Sequence, residues 1–158
     1  MGSQAVLIVG IGTRYAGDDA AGLVVAERLG AGRWGAMPVI THEGEGLSLL
    51  DRLTGFQTAI LIDAMNSGVE PGAVQRFDAG AKPLPALMFR HSTHAFGVAD
   101  AIELGRALKQ PPRRIIVYGI EGKSFEAGDR LSPEVEASLP GVVERVLEET
   151  EYGNGTEP

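Results

Sequence analysis

The chain has 158 residues, 44% hydrophobic and 22% charged, with a formal net charge of −7 at pH 7. That length carries one domain with a real core, since about 150 residues bury roughly 68–70% of their unfolded surface. The acidic balance argues against a nucleic-acid partner, which a basic face would mark. The lack of cysteine excludes disulfide scaffolds, thiolate metal sites and cysteine nucleophiles.

No stretch reads as a signal peptide, and no run of about 18 apolar residues occurs. A soluble, cytoplasmic protein without membrane contact is therefore expected. The segment Tyr152–Pro158 reads as a disordered tail behind a single domain of 1–151.

Taken in chain order, Ala5–Val9 is a continuous apolar run stopped by Gly10, the pattern of a strand buried on both faces. Further strands are expected at Pro38–His42, at Thr58–Asp63 and at Arg114–Gly119. The alternating Ala73–Phe77 suits an edge position. Helical patterns fall at 19–29, 47–54 and about 94–108. Asp18 is placed to cap the first of these, because its carboxylate can accept orphan backbone N–H groups.

Ser132-Pro133 opens a last helical region. Pro140-Gly141 should break or kink it, giving a short turn and then a helix near 141–150 that offers Val142, Val146 and Leu147 to the sheet. Strands alternating with helices predict an α/β fold: a single three-layer domain with a twisted, mainly parallel five-stranded sheet between helices. Sites in such folds lie at the carboxyl ends of the strands, near a switch point.

The first loop, Gly10–Asp19, invites a nucleotide reading and then fails it. A dinucleotide fingerprint needs glycine where Tyr15 stands, and the Lys-Ser/Thr of a P-loop is replaced by Asp18-Asp19. Two carboxylates repel a phosphate rather than neutralise it. Asp19 alone reads as a first-turn acid in a favourable helix dipole. Asp63 closes an apolar strand, and His94 sits in Arg90-His91-Ser92-Thr93-His94 before the third helix. Together they make a mixed oxygen and imidazole set of the kind that suits nickel, zinc or manganese.

Four stretches in order resemble the hydrogenase maturation protease family. They are Gly10-x-Gly12 with Gly17-Asp18-Asp19-x-x-Gly22; Asp63-Ala64 with Gly68 and Pro71-Gly72; Ser92-Thr93-His94-x-x-Gly97; and Gly119-Ile120-Glu121 leading to Leu131–Val135. The resemblance implies an endopeptidase that removes the C-terminal extension of a nickel-loaded [NiFe]-hydrogenase large-subunit precursor. Asp19, Asp63 and His94 take the positions of the family's catalytic, metal-contacting residues. No tightly bound metal is expected, the nickel being contributed by the precursor, and the protein is expected to act as a monomer.

The chain departs from the family at Thr13, Arg14 and Tyr15, and in the substrate-recognition loop after the second strand, which here reads His42-Glu43-Gly44-Glu45-Gly46. Glu43, Gly44, Glu45 and Gly46 are the expected substrate-binding residues. Two other readings are a peptidyl-tRNA-hydrolase-like enzyme and a non-proteolytic hydrogenase-assembly chaperone.

Overall fold

A computed structural model describes residues 4–31, 37–43, 45–89, 96–110 and 112–153. Strand β1 (Gln4–Ile11) leads through a 3-10 turn (Gly17–Ala20) into helix α1 (Ala21–Ala31). Then come β2 (Val39–His42), α2 (Gly46–Leu53), β3 (Phe56–Met65) and β4 (Val74–Asp78). A 3-10 turn (Ala86–Phe89), α3 (Val98–Ala107), β5 (Arg114–Glu121) and α4 (Pro133–Gly153) complete the chain.

The strands form one sheet in the order β2-β1-β3-β5-β4. All pairings are parallel except that of β4 with β5, so β4 takes the expected edge position. Alternation along the central strands divides the core in two. Leu7, Val9, Leu61 and Val117 face α2 and α3 with Leu49, Leu53 and Ile102. Ile8, Ile60, Ile62 and Ile116 face α1 and α4 with Val25, Leu29, Val135, Leu139, Val142 and Val146. The result is the expected three-layer α/β arrangement.

From β1 the chain moves outward through α1 to β2, then crosses back through α2 to β3 on the other side of β1. The two connections leave in opposite directions, so the carboxyl ends of β1 and β3 flank the switch point where α/β folds open a crevice. Close backbone contact holds that region together. A Cβ on Gly22 would lie 2.2 Å from the carbonyl oxygen of Ile62 and 2.4 Å from that of Ile11, so only glycine lets α1 start over the sheet here.

The last helix differs from expectation. It runs unbroken from Pro133 to Gly153 with Pro140 inside it, and so passes the boundary at 151. Proline removes one i→i−4 bond, but the carbonyl left over belongs to exposed Glu136 and the ring itself is exposed, so water can solvate both. The stripe Val135, Leu139, Val142 and Val146 is fully buried and holds the helix across the defect. Pro140→Ala is expected to raise stability by about 1–3 kcal/mol in chemical denaturation, short of the full interior penalty because the unfolded chain gains freedom.

Near its far end α4 is tied to the sheet edge through buried Glu149. That carboxylate accepts hydrogen bonds from Arg76 Nε at 2.7 Å, Arg114 Nη2 at 2.5 Å and Tyr118 Oη at 2.6 Å. Burial alone would raise the Glu149 carboxyl. The donors Arg76, Tyr118 and Arg114 outweigh it and hold the group at about 2. Burial, then the bond to Glu149, pushes the Tyr118 phenol up to about 12.

The folded value of Glu149 thus lies below the ordinary 4.5. Its contribution to stability is complete above that pH and is lost as the pH falls toward about 2. The two arginines are 38% and 34% exposed, so screening leaves about 1–2 kcal/mol of the effect. Glu149→Gln is expected to flatten the acid limb of the stability curve between about pH 4.5 and 2, as read by denaturation at a series of pH values.

Candidate active site

Asp63 lies two residues before the end of β3, on the face shared by Leu61 and Met65, which packs toward α2 and α3. Its register partner on β5 is Gly119. Asp19 comes from the 3-10 turn that follows β1. Gly12 sets the height of that turn: its N–H bonds His42 O at 3.2 Å, and a Cβ there would sit 2.0 Å from the Asp19 carbonyl oxygen. Both carboxylates are only 5% exposed, and both line one cleft at the carboxyl end of the sheet. The cleft has a volume of about 40 Å³, room for an ion or a few waters at roughly 10–15 Å³ each.

Two further groups line the cleft: His42, which has no role among the expected site residues, and Glu43, one of the expected substrate-binding residues. His42 ends β2 opposite Ile11, is 5% exposed, and has its Nε2 3.2 Å from the carbonyl oxygen of Glu45. A carbonyl only accepts, so Nε2 carries the proton and Nδ1 is the acceptor in the neutral ring. The signal was available: a polar residue closing a short apolar strand is the pattern that singled out Asp63. Glu43 also lines the cleft, and Arg14 holds it across the loops, through its backbone N–H at 3.1 Å and its Nε at 3.4 Å.

The expected substrate loop separates into different roles. Glu45 does not line the cleft; it caps α2, accepting from Leu47 N at 2.6 Å and Ser48 N at 3.0 Å. The Leu47 amide, then that of Ser48, lowers its carboxyl below the ordinary value. Gly46 packs against Phe96 and Gly97, where a Cβ would meet Phe96 Cδ1 at 2.5 Å. Gly44 and His94 lie outside the described residues. Phe89 and Phe96, on either side of the segment 90–95, both line the cleft. Among the described residues no three acidic or histidine side chains form a group that would hold a metal ion.

Asp18 corrects an expectation. It does not cap α1, and the 3-10 turn has no side-chain cap. Its fully buried carboxylate accepts instead from Lys123 N, Ser124 N, Ser132 N and Ser132 Oγ, in the loop between β5 and α4. Glu121, 2% exposed at the end of β5, does the same for the loop after β3, accepting from Ser67 N, Ser67 Oγ and Gly68 N. These two acids of the motifs fix the loops around the cleft, while Asp19 and Asp63 face into it.

A switch-point cleft lined by two buried carboxylates, one near the end of β3 and one from the turn after β1, is that of an α/β protein with an acidic crevice. Among the described residues its lining holds no Lys or Arg to neutralise a phosphate. Residues 38–149 match the model of the hydrogenase maturation protease family, and the chain belongs to that family of peptidases. It is 26% identical over 147 residues to the hydrogenase 2 maturation protease of Escherichia coli K12, covering 90% of this chain and 88% of that protein. It is 23% identical over 147 residues to the hydrogenase expression/formation protein HupD of Thiocapsa roseopersicina, covering 90% of this chain. The matched part spans 66% of the length of HupD.

The solution structure of an endopeptidase from Escherichia coli superimposes with a TM-score of 0.81 at 26% identity, covering 93% of this chain and 92% of that one. Among the described residues no helix is long and apolar enough to cross a membrane.

Proposed function

We propose that the chain is the endopeptidase that removes the C-terminal extension of a nickel-loaded [NiFe]-hydrogenase large-subunit precursor. The observation that carries this is the convergence of Asp19 and Asp63 in one narrow cleft at the switch point of a maturation-protease fold. In this reading the nickel arrives with the substrate. Asp19, Asp63 and His94 contact it, and that contact aligns the precursor's tail. Ordering the scissile bond beside the carboxylates supplies much of the rate by proximity.

The hydrolysis is of aspartic type. One carboxylate takes a proton from water as the oxygen attacks the carbonyl carbon, and the proton passes to the departing amine. Glu43 lines the cleft, and Arg14 holds its carboxylate through both its backbone N–H and its guanidinium. The protein works in the cytoplasm as a monomer, without nucleic acid, membrane or resident metal.

The test is time-resolved intact mass of the precursor with and without nickel. Shortening of the nickel-loaded form alone is expected. Stable binding with no shortening would instead make the chain an assembly chaperone. Metal analysis of protein prepared without added metal checks the remaining point, and a stoichiometric ion would overturn it.

A further inference from the structure

At the opposite end of the sheet lies a second cavity, of about 320 Å³, between the end of α3, the end of β4 and the start of β5. That volume is on the scale of a small-molecule site. Its floor is apolar, made by Leu50, Leu53, Ile102 and Ile115, while Arg106, Lys109 and Arg113 line it with positive charge. In a chain of net charge −7, that local balance is reversed.

The three cations are not equivalent. Arg106 is occupied: it pairs with Glu103 at 3.0 Å and donates to the carbonyls of Ala79 and Gly80. Lys109 and Arg113 are exposed, and among the described residues no carboxylate pairs with either.

Lys109 also holds an uncommon backbone. The end of α3 is a Schellman turn, with Gln110 N on Gly105 O at 3.0 Å and Lys109 N on Arg106 O at 3.1 Å. The residue at the Lys109 position takes a left-handed conformation, here φ 55°, and glycine is the usual occupant. Lysine there costs backbone strain and places a cation at the cavity.

We propose that this cavity binds a small amphiphilic carboxylate, its apolar body on Leu50, Leu53, Ile102 and Ile115 and its anionic head beside Lys109 and Arg113.

The test is an amide-shift titration of the full chain by NMR with octanoate, octanol, octylamine and inorganic phosphate. Octanoate is expected to shift Ala101, Gly105 and Ile115 saturably, with octanol and octylamine about tenfold weaker or more because they lose the charge-assisted bonds. Lys109→Gly should weaken octanoate by about two- to fivefold, and Lys109→Gly with Arg113→Gln by about tenfold. Lys109→Gly relieves the left-handed backbone, so its melting temperature should not fall; this separates lost binding from lost fold.

Absence of octanoate binding would overturn the proposal, as would octanol binding as tightly as octanoate. Phosphate binding as tightly as octanoate would overturn it too, as would shifts that map to the cleft of Asp19 and Asp63. Unchanged affinity in the double variant would have the same consequence.

Discussion

Asp63→Asn is expected to slow precursor cleavage by about 10²–10⁴-fold, the loss typical of an essential general base. Asparagine has nearly the same volume and keeps one acceptor oxygen. The surrounding strand, with Leu61, Ile62 and Met65 fully buried, should therefore hold its place. What disappears is the negative charge and the ability to take a proton. Asp19→Asn removes the same chemistry from the other wall of the cleft and is expected to act alike. If the two carboxylates work as a unit, the double variant should cost little more than the worse single one, because groups that act together are grossly non-additive. Single-turnover cleavage of nickel-loaded precursor, followed by intact mass, measures all three, with His94→Ala as a fourth arm. Normal rates throughout would remove these residues from the site.

How much of this was legible in the sequence depended on whether the signal was local. The buried strands announce themselves: Ala59–Ile62 and Ile115–Val117 are apolar without interruption because both faces are covered. The edge position of β4 followed from its alternation. Local rules failed where a distant partner decided the outcome. Asp18 satisfies every local preference for a helix cap, yet its hydrogen-bond partners lie 105 to 114 residues away. Pro140 obeys the rule for a helix breaker, yet the buried stripe beneath it carries the helix through. Glu45, in the expected substrate loop, turns its side chain back onto the first amides of α2, a capping role that its own sequence position also allows. His42 closes the expected strand Pro38–His42 as Asp63 closes its own, so its place at the cleft carries the same local signal.

Asp18 also gives the largest expected effect on stability. Its Oδ2 accepts from Lys123 N at 2.7 Å, Ser124 N at 3.3 Å and Ser132 Oγ at 2.9 Å, while Oδ1 accepts from Ser132 N at 2.7 Å. Hydrogen bonds to a charged group contribute about 1.5–3 kcal/mol each, but four that share one carboxylate do not add. Asp18→Ala leaves their donors without an acceptor in a fully buried site. A cost of about 2–4 kcal/mol is expected, because the donors left behind are neutral amides and a hydroxyl rather than an unpaired charge. Against a total of about 5–15 kcal/mol for a typical domain, that is a large share.

Asp18→Asn should be milder but not neutral. One amide oxygen can serve only one side, and its NH2 must then face an N–H donor on the other. The same loop is laced to the turn by Asp18 N on Ser124 O at 2.8 Å and Gly17 N on Asp129 O at 3.2 Å. Its release should therefore loosen the segment that carries Asp19. Chemical denaturation gives the magnitude, and faster amide exchange at Lys123, Ser124 and Ser132 locates it. A loss below about 1 kcal/mol, within reach of an ordinary surface change, would mean that the carboxylate is not what holds the loop.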